Sequence, residues 1–220
     1  PDMKNTQVNA LFAAVPGLFL PDRTYYENNN PAYKQLMPVF TKMASQLLVL
    51  ADYSSNEADE IVESAKRFDA KIAPNVKSAE ESADYSKMYN PQKFAYFSES
   101  SSHLDFVNLA DALFGKAPEQ IIVTEPKFYE RFDGLVNSDT FKDMKNWMLV
   151  NMVRLASGYL SEEFRQTGSV FSRALSGKKE ATPQKKSAFY LAEGTFGQTI
   201  GDYYAKKYFG PKAKADVEHM

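Results

Sequence analysis

Histidine is the side chain that most often binds a catalytic metal or transfers protons near neutral pH, and this chain has two, His103 and His219. A catalytic zinc takes three protein ligands, and two histidines one helical turn apart, as in His-Glu-x-x-His, commonly supply two of them. Neither histidine lies in such a motif, and the two are far apart in the sequence. We therefore predict no metal-ligating residue in this chain and expect both histidines at the surface.

Nucleophilic and phosphate-binding motifs are missing in the same way. The chain has no cysteine, which excludes disulfides, thiolate zinc sites and cysteine nucleophiles. No Gly-x-Ser-x-Gly elbow occurs, and the pair Gly168-Ser169 falls inside a predicted helix, where we expect a packing role. Gly194, Gly197 and Gly201 also fall inside a predicted helix rather than between a strand and a helix, so we expect them to admit a neighbouring backbone. We predict no catalytic and no cofactor-binding residue.

Carboxylates form two groups near predicted helix starts: Glu57, Asp59, Glu60 and Glu63, then Glu80, Glu81 and Asp84. Negative charge is favourable there because of the helix dipole, which accounts for these groups without any chemistry. An enzyme with an unrecognised carboxylate site is the hypothesis that we rank last.

The aromatic group Tyr203, Tyr204, Tyr208 and Phe209 is predicted to be core.

Composition indicates a soluble globular protein. The chain has 220 residues, 44% hydrophobic residues and a formal net charge of −2, with both signs mixed along its length. No basic stripe suitable for a phosphate backbone is visible, so we predict no nucleic-acid partner. The longest apolar run, residues 11–20, is interrupted by Pro16 and Gly17, so we predict no membrane span.

Periodicity and capping signals predict a mainly helical fold. In the first half we expect two extended stretches, a segment near 6–15 and a strand over 121–124. We also expect helices that begin at Asn30-Pro31, at Ser54 or Ser55 and at Asn90-Pro91. A capping-box helix is expected from Ser78 to about Tyr89, and a further helix over 105–114. In the second half we expect helices near 139–160, 162–175, 183–209 and from 213 onward.

The predicted helix over 139–160 is apolar on nearly all sides, which is typical of a helix that is buried all round. A chain of 220 residues offers it few neighbours. We therefore predict exposed apolar surface here, leading to self-association or to binding of a partner lobe.

Four segments resemble the neprilysin-type zinc metalloendopeptidases, and within them the bacterial endopeptidase O (PepO-like) group. They are GLFLPDRTYYE at 17–27, YSKM at 85–88, the stretch from Trp147 through 165 with FSRALSG at 171–177, and the stretch 194–209 ahead of 214–216. The first resembles the family pattern Gly-Leu-x-Leu-Pro-x-Arg-x-Tyr-Tyr. The resemblance covers essentially the whole chain.

The resemblance implies two largely helical lobes around a central cavity. One lobe would hold zinc through His-Glu-x-x-His and a downstream Glu-x-x-x-Asp, and the other would be a cap that admits only peptides of modest size. No position here matches those zinc motifs, which we expect downstream of Met220, and the early substrate-contacting arginine of the family is expected before Pro1. The resemblance thus implies zinc in the full-length parent and none in this chain.

Fold class, domains and function follow as expectations. We expect a mainly α cap lobe with one or two short strands, residues 1–120 belonging to the cap and 121–220 leading toward the catalytic lobe. We expect the non-catalytic amino-terminal region of a zinc metalloendopeptidase, inactive alone, whose partners are peptide substrates and the missing catalytic lobe. The alternative is a free-standing helical binding or scaffold protein derived from that lobe. The lack of cysteine fits a reducing compartment, so we expect a bacterial cytoplasmic protein, with export left open.

Overall fold

A computed structural model describes residues 1–27 and 30–219, which form two compact units, 1–177 and 178–220. The first unit contains strands β1 (Leu11–Ala13), β2 (Pro91–Lys93) and β3 (Gln120–Val123) and helices α1 (Pro31–Leu50), α2 (Ser55–Ile72), α3 (Ala79–Ser82), α4 (Phe94–Ser98), α5 (Phe106–Phe114), α6 (Pro126–Tyr129), α7 (Phe132–Leu135), α8 (Phe141–Ala156), α9 (Glu162–Gly168) and α10 (Val170–Ser176). The second contains α11 (Gln184–Tyr208) and α12 (Ala213–Glu218). The mainly helical fold is confirmed, whereas the domain boundary predicted after residue 120 stays a prediction.

The two long helices α1 and α2 begin where the capping signals predicted. The side chain of Asn30 accepts a hydrogen bond from Ala32 N (3.0 Å), and Pro31 takes the first helical position. Ser54 and Glu57 form a reciprocal capping box at the start of α2. Each cap satisfies backbone N–H groups that the helix itself leaves without acceptors, and so defines the first turn.

The main core lies between α1, α2 and α8, and α10 packs against α1 and adds Phe171 to it. The apolar stripes of α1 and α2 supply fully buried side chains, among them Phe40, Met43, Leu47, Val62 and Ala65. The ring of Phe40 stacks on Phe19 (centroids 4.3 Å apart) and meets Phe171 of α10 edge to face (5.3 Å). Burial of a Phe, Met, Leu or Val side chain stabilises the fold by roughly 1.5–3 kcal/mol each.

A small three-stranded sheet lies beside this core, in the order β1-β3-β2. β1 is parallel to β3, with Phe12 opposite Ile122, and β2 is antiparallel to it, with Gln92 opposite Ile121. The predicted helix start at Asn90-Pro91 is wrong. The Asn90 side chain donates to the carbonyls of Lys87 (2.9 Å) and Val123 (3.0 Å) instead of capping a helix, Pro91 begins β2, and α4 starts only at Phe94.

Three other helices differ from their predicted extents. The helix predicted from Ser78 to Tyr89 has its capping box but stops at Ser82, and a separate 3-10 turn covers 85–88. α8 begins at Phe141 and gives way after Ala156 to a 3-10 turn over 157–159. The helix predicted over 162–175 is divided at Ser169 into α9 and α10, and α10 is capped after Ser176 by Gly177, whose φ of 68° is left-handed.

Most of the described side chains in the second unit are exposed, and the others are half-buried. None of the described side chains of α11 is buried, and Phe196 interrupts its helical geometry (φ −112°, ψ 23°). The prediction that the aromatic group at 203–209 forms core is therefore wrong for this chain, because these rings lie mostly against one another at the surface. A Cβ placed on Gly194, Gly197 or Gly201 would meet no described atom within 4 Å, so no backbone approaches these glycines here.

Candidate docking groove and the buried carboxylate behind it

The segment 17–27, which carries the first family-like motif, is held by its own polar side chains. Asp22 accepts hydrogen bonds from Thr24 N (2.8 Å), which caps the 3-10 turn over 23–26, and from Ala79 N at the start of α3. Arg23 pairs with Glu27 (2.8 Å) and Glu81 (3.2 Å). The motif residues Asp22 and Arg23 therefore tie the loop to α3 and act structurally.

A buried carboxylate, Asp69 of α2, joins this loop to α8. Asp69 is fully buried and accepts hydrogen bonds from Phe19 N (3.1 Å), from Trp147 Nε1 (2.9 Å) and from the Tyr26 hydroxyl. Tyr26 in turn accepts a hydrogen bond from Leu20 N (3.1 Å). We refer to Asp69, Tyr26, Trp147 and the Phe19 amide as the Asp69 cluster. It connects two of the family-like segments, 17–27 and the stretch beginning at Trp147, through one carboxylate.

Burial dominates the electrostatics of the Asp69 cluster. It raises the pKa of Asp69 to about 6, although the three hydrogen bonds and the charge of Arg154 act in the opposite direction. Burial and the neighbouring Asp69 also raise the pKa of the Tyr26 hydroxyl above its ordinary range. Burial lowers the pKa of Arg154. A carboxyl with a raised pKa is a candidate for chemistry when it lies in a cleft. Asp69 lies in the core between three elements, so we interpret it as structural.

Sequence reasoning did not single out Asp69. The available signal was an acidic residue inside the apolar stripe of α2, between Phe68 and Ile72. A charge at a core position usually has buried donors around it. The identity of those donors could not be predicted locally, because Tyr26 lies 43 positions from Asp69 and Trp147 lies 78 positions from it.

A second polar contact joins α2 to α8. Asp143 accepts hydrogen bonds from the Ser64 hydroxyl (2.6 Å) and from Arg67 Nη2 (2.8 Å), and Asn146 donates to Ser64 (2.9 Å). The hydrogen bond with Arg67 holds the pKa of Asp143 below its ordinary range. Together with the Asp69 cluster, this contact sets the position of α8 against α2.

An open apolar groove of about 750 Å³ runs between the sheet edge and α8. Its lining side chains are all apolar or aromatic. They come from the segment 11–16, from α2, α4 and α5, from β3, from α6 and α7 and their flanks, and from α8. We call this feature the apolar groove. Several lining residues are far more exposed than core residues, including Leu113 (65%), Met148 (55%) and Leu109 (51%).

The exposed apolar surface extends along α8 beyond the groove. Val150 is the one buried side chain described on this helix, whereas Phe141, Met152 and Leu155 are more than half exposed. The prediction of exposed apolar surface on this helix is confirmed. Grouped exposed apolar side chains are typical of interaction surfaces.

The residues considered for chemistry are not assembled into a site. His103 and His219 are both exposed, as predicted, and lie in different compact units. Over residues 1–27 and 30–219, no three side chains of the His, Asp and Glu types are grouped as metal ligands, so the described residues do not fit a zinc site. Of the two carboxylate groups, Glu57 and Glu81 serve as capping-box partners. Gly168 packs against Ser157, which confirms its packing role.

No helix in the described part of the chain has the length and apolarity needed to cross a bilayer.

Comparison with known proteins identifies the family. The sequence profile described as peptidase family M13 matches residues 1–220. This chain belongs to peptidase family M13. It corresponds to the N-terminal M13 domain of neprilysin-type metalloendopeptidases, which confirms the resemblance seen in the four segments. The neutral endopeptidase of Lactobacillus helveticus is 39% identical over 219 residues, covering 100% of this chain and 34% of that protein.

Solved structures agree with this assignment. The crystal structure of PepO from Lactobacillus rhamnosis HN001 has a TM-score of 0.86 at 28% identity, covering 93% of this chain and 32% of that one. The Mycobacterium tuberculosis zinc metalloprotease Zmp1 in complex with an inhibitor shares the fold (TM-score 0.78, 20% identity), covering 94% and 32% of the two chains. The chain thus spans about a third of the length of the M13 relatives that it matches.

Proposed function

We propose that this chain is the non-catalytic part of a zinc endopeptidase for small-to-medium peptides, and that it encloses and restricts the substrate cavity. Membership of family M13 over residues 1–220 supports the endopeptidase assignment. Because the described residues do not fit a zinc site, the zinc would be held elsewhere in the full-length enzyme, where it would supply the activated water of peptide hydrolysis. On this proposal the chain alone is inactive.

The exposed apolar surface carries the proposal. The apolar groove and the outer side of α8 present Leu109, Leu113, Met148 and Met152 to solvent. Each such side chain contributes roughly 1.5–3 kcal/mol when it is buried. A part of the enzyme that covers this surface would hold this domain firmly beside the catalytic part. A domain held in that way can form one wall of the cavity and limit the size of the peptides that enter.

The test uses the full-length enzyme with one added charge in the groove. Leu113→Glu places a carboxylate among apolar side chains, and Asn108→Glu adds the same charge to the same helix at an exposed position outside the groove lining. We expect Leu113→Glu to lower the thermal unfolding midpoint and to raise the cleavage rate of long peptides relative to short ones. Chelator-sensitive hydrolysis of short peptides should persist, because no zinc ligand is changed.

Two outcomes would contradict the proposal. If Leu113→Glu behaves like Asn108→Glu in both stability and the ratio of long to short peptide cleavage, the groove is not part of a cavity-enclosing contact. If the full-length protein shows no chelator-sensitive peptide hydrolysis at all, a helical binding or scaffold protein derived from this lobe becomes the better description.

A further inference from the structure

Strand β1 lies at one edge of the sheet and is bonded on one side. It pairs with β3 in parallel, with Leu11, Phe12 and Ala13 opposite Ile121, Ile122 and Val123. Among the described residues no strand pairs with its other side. An edge of this kind presents backbone N–H and C=O groups that can pair with another extended segment.

The register shows which backbone groups of β1 point outward. The Ala13 carbonyl accepts a hydrogen bond from Thr124 N (3.0 Å), so the N–H and C=O of Ala13 face β3. Along a strand these directions alternate, and the N–H and C=O of Phe12 therefore point away from β3. The Ala14 carbonyl, which is also on the outer side, already accepts a hydrogen bond from the Tyr129 hydroxyl (2.7 Å). The outer edge available for pairing is thus centred on Phe12.

The segment that contains β1 also lines the apolar groove. Residues 11–16, which include the whole of β1, line the groove together with Leu109, Leu113 and Met148 on the neighbouring helices. An extended segment bonded to Phe12 would have its alternate side chains directed to one face. Because no charged side chain lines the groove, apolar side chains would be favoured there.

We propose that an extended apolar segment of the same polypeptide, outside residues 1–220, pairs with the outer edge of β1 and fills the apolar groove. The length of the relatives supports this choice of occupant, since the chain covers 34% of the Lactobacillus helveticus enzyme. This inference rests on the proposed function in one respect, namely that the chain is part of a longer enzyme. It assigns β1 and the groove to assembly of the enzyme rather than to substrate binding.

Amide hydrogen exchange in the full-length enzyme tests the pairing at single-residue resolution. We expect the Phe12 amide to exchange at least about 100-fold more slowly than its intrinsic rate, because a backbone acceptor on the added segment would hold it. The Ala13 amide faces β3 and should be protected in either case, which shows that β1 itself is formed. Exchange of the Phe12 amide at its intrinsic rate beside a protected Ala13 amide would overturn the proposal.

Two substitutions of the full-length enzyme give an independent readout. Phe12→Pro removes the outward N–H while leaving the bonds to β3 intact, and proline is accepted at an edge where the N–H faces solvent. Phe12→Ala removes the side chain and keeps the N–H. We expect Phe12→Pro to lower the thermal unfolding midpoint clearly more than Phe12→Ala does. Equal midpoints for the two variants would contradict a strand bonded at this edge.

A bound peptide substrate or a second copy of the chain at the edge of β1 would give different results. If protection of the Phe12 amide appears only when an apolar peptide is added to saturation, the groove binds substrate and the proposal is wrong. If protection falls on dilution while the enzyme dissociates to monomers, a second copy occupies the edge and the proposal is again wrong. Chelator-sensitive hydrolysis by the unaltered enzyme tests the proposed function separately, so failure of one inference is distinguishable from failure of the other.

Discussion

Replacing Tyr26 by phenylalanine removes one hydroxyl from the Asp69 cluster and preserves the ring. The variant loses the hydrogen bond from that hydroxyl to Asp69 and leaves Leu20 N without its acceptor. A hydrogen bond to a charged group contributes about 1.5–3 kcal/mol, and an unsatisfied buried donor costs about 1–3 kcal/mol. We expect Tyr26→Phe to lower the free energy of unfolding by roughly 3 kcal/mol at pH 8.

The pH dependence of this loss follows from the pKa of Asp69. Burial raises that pKa from its ordinary 3.8 to about 6, so the folded protein binds the proton more tightly than the unfolded chain does. The free energy of unfolding therefore falls as pH rises from about 4 through 6, by roughly 3 kcal/mol for this group. Tyr26→Phe removes a donor to the carboxylate and raises the pKa further. The deficit of the variant should therefore be larger at pH 8 than at pH 5, by about 1–2 kcal/mol.

Urea unfolding at the two pH values measures this difference. Trp147 is the one tryptophan of the 220 residues and touches Asp69, so its fluorescence reports on the cluster, with far-UV circular dichroism as a second probe. Tyr25→Phe is the matched control, because Tyr25 is the adjacent tyrosine and also packs against the main core. A Tyr26→Phe deficit below about 0.5 kcal/mol at pH 8, or equal at both pH values, would refute the role assigned to Asp69.

Three further substitutions test other features. Asp143→Asn should lower stability at pH 7 by about 1 kcal/mol through the pair with Arg67. Because the pKa of Asp143 is lowered, this deficit should shrink as acid protonates the carboxylate, which urea unfolding at falling pH would show. Gly168→Ala should cost about 1–3 kcal/mol, since its Cβ would lie 2.8 Å from Ser157 Cβ, and Ser157→Gly in the same chain should restore the midpoint. Gly115→Ala should lower the thermal midpoint at a cost of about 1–2 kcal/mol, because φ is 78° there; an unchanged midpoint would contradict this.

Local signals in the sequence predicted the helices well wherever neighbouring residues decide the structure. Asn30-Pro31 and Ser54 with Glu57 each satisfy backbone groups within one turn, so the starts of α1 and α2 need no distant partner. Asn90-Pro91 carries the same local signal, yet β2 forms there. The hydrogen bonds between Asn90 and Val123 of β3 decide that case, and a bond across 33 positions leaves no trace in a local pattern.

Exposure was predictable for one helix and not for another. The helix predicted over 139–160 was expected to be apolar on nearly all sides and to stay partly exposed in a chain of this length, and Met152 and Leu155 of α8 are exposed. The aromatic group Tyr203, Tyr204, Tyr208 and Phe209 at the end of α11 was predicted as core, and these four side chains are exposed as well. Composition tells how much apolar surface a helix has. Whether other elements cover that surface depends on their positions in space.

By itself, the sequence determined the mainly helical fold, the family and the lack of an internal zinc motif, since each depends on residue types at short spacings. The tertiary structure alone revealed the Asp69 cluster, the apolar groove and the edge of β1 with which no strand of the described residues pairs. Each of these brings together segments far apart in the chain, such as Phe19 with Asp69 and Trp147, or 11–16 with α5 and α8. Such contacts depend on how the elements pack, because the long-range hydrogen bonds and buried surfaces that select them form only when the chain has folded.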